Sequence, residues 1–135
     1  MMKIRILAGL WLLTAAVACG TTGIKSKMRS LDDAITDYHV SLRWSMLDKI
    51  EAYHQGRNGE RKPLDRSSLN RVRITGYTII DRNANPEATE AVVKGEVDFY
   101  TTDSGTLRKH AFTENWWYSE AAKRWFISSD YLTIK

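Results

Sequence analysis

The chain has 135 residues, one cysteine and a formal charge of +4. That length suits one ordinary domain, and a lone cysteine excludes an intrachain disulfide, so the fold must stand on its apolar core. Without residues 1–18, which carry Lys3 and Arg5, the charge falls from +4 to +2, too little to argue for a nucleic-acid partner.

The first residues fall into three zones. Lys3 and Arg5 are basic, Ile6 to Val17 is an almost unbroken apolar run, and small residues lead into Ala16-Val17-Ala18-Cys19-Gly20. This order marks a secretory signal. The run is too short to span a bilayer, which takes roughly 20 residues. It also lacks the polar face of a buried amphipathic helix. Residues 3–20 resemble the signal and lipobox of bacterial lipoproteins, with Ala16 where leucine is usual. The resemblance implies cleavage after Ala18 and acylation of Cys19 by diacylglycerol and a palmitate-type chain. It also implies a membrane partner through that lipid. Gly20 implies the outer membrane, facing the periplasm, in a Gram-negative host. The chain then divides into a signal peptide (1–18), a lipidated cysteine with a flexible tether (19–30) and one folded domain (31–135).

Gly20 to Ser30 is polar and has no apolar period, as expected of a tether. Ser30, with Asp32 and Asp33 following, reads as a helix N-cap. Leu31, Ile35, Tyr38, Leu42 and Met46 then recur at helical spacing, and Leu47, Ile50 and Tyr53 form a second stripe. Ser45 with Asp48 repeats the cap pattern, which predicts a break near Trp44-Ser45. One unbroken helix over 31–54 is the alternative. Gln55 to Arg71, with two glycines, a proline and many cations, reads as a loop that also offers a basic patch.

The second half reads as four strands. Val72, Ile74, Thr78 and Ile80 alternate against Arg73, Thr75 and Tyr77, and Asp81 to Pro86 is a turn. Ala91, Val93, Val97 and Phe99 form the apolar row of the next strand, and Asp103-Ser104-Gly105 makes a hairpin. Leu107 to Ser119 and Arg124 to Leu132 complete the set. Connections this short force antiparallel neighbours. The expected fold is therefore α+β, with N-terminal helices packed on a curved four-stranded antiparallel meander.

That order, closing on Trp116-Trp117-Tyr118, a turn and Arg124-Trp125-Phe126-Ile127, resembles the nuclear-transport-factor-2-like superfamily over roughly residues 31–132. The resemblance implies a cone whose helices cover a bent sheet and often leave a pocket. It implies no single activity, because the superfamily holds enzymes and non-catalytic modules alike.

No catalytic residue, metal site or cofactor emerges from the residues themselves. His39, next to Tyr38 of the core stripe, is expected at the surface, about 100° away around the helix. His54 is expected at a helix end, its partial charge favoured by the dipole. The pocket candidates are His110, Glu114, Trp116 and Tyr118, which share one face of a strand with Phe112. They form either a pocket wall or the outer face of the sheet. His110 and Glu114 stand about 13–14 Å apart in a regular strand, so Glu114 is expected to pair instead with a base such as Lys94. The favoured reading is a membrane-anchored, non-catalytic binding or assembly module, its partner an envelope protein or anionic polymer and not nucleic acid. The alternative is a small-molecule-binding protein or enzyme using the pocket of the cone.

Overall fold

The structure, a computed structural model, describes residues 18–134. Residues 1–17, most of the stretch read as a signal peptide, and the side chain of Cys19 lie outside the described residues.

Helix α1 spans Ala18–Arg43. The stripe Leu31, Ile35, Tyr38 and Leu42 is buried as the helical period predicts. The helix differs from expectation at its start, since it runs back through residues 20–30 where the sequence predicts a flexible tether. Ser30 is therefore interior rather than a cap, and its hydroxyl donates to Lys27 O. The cause is tertiary. Trp125 Nε1 donates to Lys27 O and Ser30 Oγ, and Lys27 pairs with Glu120, so the turn at 27–30 is bound to the sheet.

The break near Trp44-Ser45 is where the stripes place it, but Ser45 ends α1 rather than starting the next helix. Ser45 has φ +52°. Its amide bonds Leu42 O and that of Met46 bonds Ser41 O, the paired arrangement of a Schellman C-cap. Helix α2 (Leu47–Tyr53) follows from Met46, with no side-chain cap, and buries Ile50 and Tyr53. Met46 itself is exposed. The stretch read as a loop holds one short helix, α3 (Arg66–Asn70), whose first amides bond the Asp65 carboxylate.

The strands are β1 (Val72–Ala84), β2 (Glu90–Thr101), β3 (Arg108–Ser119) and β4 (Arg124–Ile127). They form one antiparallel sheet in the order β1-β2-β3-β4. The α+β meander is thus as expected. Strand β1 continues through Asp81 to Ala84, and the turn begins at Asn85, whose side chain accepts from the amides of Thr89 and Glu90. Strand β4 stops at Ile127. The chain beyond it returns to the interior, where Tyr131, Leu132 and Ile134 pack against the core.

Two register shifts in β1, at Ile74/Gly76 and Ile79/Asp81, correct the expected alternation. Each adds one residue and exchanges the faces. Tyr77 and Ile79 consequently turn inward, while Ile80 is 66% exposed. In β2, Gly95 leaves room for Phe112 to lie over the sheet; an added Cβ would stand 2.7 Å from the Phe112 ring and against the Thr78 carbonyl.

Candidate functional site

The alternation of β3 settles which face is inner: Phe112, Glu114 and Trp116 are buried and His110 is half-buried, while Ala111, Thr113 and Asn115 are exposed. The predicted row is therefore the face beneath the helices. Tyr118 continues it, packed edge-on against Trp125 and under the Lys27 ammonium.

Glu114 does not pair with Lys94, which stands beside Thr113 in the register and is exposed. Its partner is His39. Nε2 of His39 lies 3.2 Å from both carboxylate oxygens, and Trp116 Nε1 donates to Oε1 at 3.2 Å. His39 is thus not a surface residue. Its ring is enclosed between Tyr77 and Phe112, with centroids 4.6 and 4.8 Å away. The bent sheet wraps α1 on two sides, so a wider arc of the helix is buried than one stripe, and Tyr38 and His39 both fall within it. His39 Nδ1 is buried without a hydrogen-bond partner.

A second buried network lies beside the first. The Tyr38 hydroxyl and His54 Nε2 are 2.8 Å apart, and His54 Nδ1 is 3.1 Å from Ser129 O. A carbonyl only accepts, so Nδ1 carries the hydrogen and Nε2 accepts from Tyr38. Burial pushes the His54 pKa down to about 4, with help from Lys62 and against the pull of the Ser129 carbonyl. His54 is therefore a neutral core residue, not the partly charged helix end that the sequence suggests. Burial also drives the Tyr38 hydroxyl well above its ordinary pKa, reinforced by Glu114. The Tyr131 ring lies 3.9 Å from that of His54.

His110 and Glu114 line one cleft with Tyr38, of about 260 Å³, whose other wall is the returning segment Asp130 to Thr133. His110 meets the Phe99 ring edge-on. Tyr38, His39, Trp116 and Trp125 are among the fully buried side chains of the core. Among the described residues, no three His, Cys, Asp or Glu side chains are grouped to hold a metal. Three cations of the basic loop have acidic partners: Arg57 with Glu90, Lys62 with Asp130 and Arg66 with Asp48.

No protein-family model matches the chain, and no curated protein matches it in sequence. Two solved structures are loosely similar in fold. A proposed polyketide cyclase from Xanthomonas campestris pv. campestris is 14% identical, covering 77% of this chain and 93% of its own, with a TM-score of 0.40. Another from Pseudomonas putida is 13% identical, covering 73% and 89%, with a TM-score of 0.38. Likeness at this level carries nothing about activity.

Proposed function

We propose that this chain is an exported lipoprotein, anchored through Cys19 and facing the periplasm, whose nuclear-transport-factor-2-like domain is a binding or assembly module rather than an enzyme. The observation that supports the module reading is the engagement of Glu114. It is the buried carboxylate of the inner face, and His39 and Trp116 occupy its oxygens. A general acid or base needs a free proton path to substrate, whereas this carboxylate is held between core side chains. The surface in turn offers apolar area at the α1–α2 corner, where Val40, Trp44 and Met46 are exposed, Trp44 to 69%. Exposed apolar clusters of this kind mark interaction sites. The anchor rests on the signal pattern and on Cys19 alone.

The anchor is tested by Cys19→Ser, which is expected to abolish acyl labelling and release the protein from the membrane fraction. Unchanged labelling would refute it. The cleft shared by His110, Glu114 and Tyr38 favours the second reading, a carrier or enzyme for a small molecule. His110→Ala separates the two: a folded variant with wild-type cellular behaviour is expected of a module, and loss of function without loss of fold reverses the order.

A further inference from the structure

Between α1, α2 and the start of β4 lies an open cleft of about 390 Å³, within the range of small-ligand sites, roughly 300–1,000 Å³. Ala34, Ala52 and Trp125 give it apolar lining. Its charge is uneven, because Lys49, Lys123 and Arg124 face a single carboxylate, Asp37.

That carboxylate is already taken. Lys49 Nζ donates to Oδ1 at 2.5 Å and the Tyr53 hydroxyl to Oδ2 at 2.6 Å. Burial raises the Asp37 pKa, but these two bonds, with the charges of Lys49 and Arg124, outweigh it and hold the group below its ordinary value. Asp37 and Lys49 thus neutralise each other in the cleft wall. Lys123 has a long contact of 3.5 Å to Glu120. Arg124 is in none of the ion pairs among the described residues. Its guanidinium instead lies over two rings, 5.1 Å from Tyr53 and 4.7 Å from Phe126. Stacking restrains a guanidinium while leaving its in-plane N–H fork open, and that fork matches an oxyanion with two parallel bonds.

We propose that this cleft binds the oxyanion of a small phosphate or carboxylate ligand, with Arg124 as the two-pronged donor, Lys123 as second cation and Ala34 and Ala52 as apolar lining for the ligand body. Two sources share that chemistry: a soluble phosphate compound and a phospholipid headgroup. Ser30, in the cleft wall, is about 17 Å along α1 from Cys19 at ~1.5 Å per residue. A headgroup is therefore near if the chain is acylated there, although the site itself does not depend on acylation.

The test follows Trp125 Nε1–H and the amides of Ala34 and Ala52 by NMR, on the chain as purified in neutral detergent. Glycerol 3-phosphate is titrated first, then lipid of phosphatidylglycerol or phosphatidylcholine composition. Saturable shifts confined to these signals are expected. Arg124→Gln should weaken binding at least about tenfold, Arg124→Lys less, as for loss of a charge-assisted bond pair, with thermal midpoints near wild type. Lys123→Gln, a change at an exposed turn, gives the same direction should Arg124→Gln fail to fold. Shifts from phosphatidylglycerol alone uphold the site and assign it to the membrane. Unchanged affinity in Arg124→Gln and Lys123→Gln, shifts centred on Arg57 to Arg73, or no saturable shift with any probe overturns the proposal.

Discussion

Acidification should destabilise this domain through His54 before most of its carboxylates titrate. In the folded chain the His54 pKa is about 4; in the unfolded chain it is about 6.5. Between those values the unfolded state binds the proton that the folded state refuses. The His54 contribution is therefore complete above about pH 6.5, falls as pH drops through the window, and is fully lost near pH 4. The gap of about 2.5 units corresponds to roughly 3 kcal/mol, a slope approaching ~1.4 kcal/mol per pH unit in mid-window. For a domain stabilised by some 5–15 kcal/mol, that is a large share. The structural origin is specific: a charged ring would need Nε2 to donate toward Tyr38, whose hydroxyl now donates to it, in a place sealed by Tyr131. Urea unfolding at half-unit steps from pH 7 to 4.5 measures the slope. His54→Gln lowers stability throughout but should flatten the dependence in this window, which isolates His54 from His39 and His110. An equally steep slope in His54→Gln, or an NMR titration of the His54 ring near 6.5, would refute the reasoning.

Three further outcomes are expected. Leu42→Ala should lower unfolding free energy by about 2–5 kcal/mol, the range for a well-packed core leucine, and an unmoved urea midpoint would place α1 on the wrong face. His39→Ala leaves Glu114 buried with Trp116 as its remaining partner and should cost about 1–3 kcal/mol, the range for stranding a buried hydrogen-bonding group. Glu114→Gln keeps an acceptor oxygen for His39 and Trp116 and should cost clearly less; an equal loss would refute the role given to these two bonds. Gly95→Ala should destabilise by ~1–3 kcal/mol through overpacking against Phe112 and the Thr78 carbonyl. Gly76→Ala, whose nearest new neighbour is Asp98 Oδ2 at 3.5 Å, should change little by the same assay.

What could be read from the residues followed from local periodicity. Leu31, Ile35, Tyr38 and Leu42 recur every three to four residues, and the short turns after β1, β2 and β3 admit only antiparallel neighbours, so helix face and sheet order were both legible. His39 was not, because its burial depends on how far the sheet wraps around α1. Ile80 was misplaced because Thr75 and Ile80 are extra residues in β1, and a strand shows its bulges only when paired. The turn of α1 at Lys27–Ser30, read as a tether, is tied down by Trp125, 98 residues beyond Lys27. Phe112, Glu114 and Trp116 share the inner face of β3 as alternation requires, yet Glu114 takes its partner from a helix 75 positions earlier. The Asp37–Lys49–Tyr53 cluster and Arg124 are likewise joined by packing alone.

The interrupted β1 edge restricts how a strand can attach along that side of the sheet. Its regular ladder is divided into Val72–Ile74, Gly76–Ile79 and Asp81–Ala84, segments of three or four residues. An incoming strand aligned with one segment falls out of phase at the next, so its backbone bonds cannot accumulate along the edge. Copies crowded side by side have little to template stacking from one sheet to the next. A strand added at this edge could therefore pair with one short segment at a time.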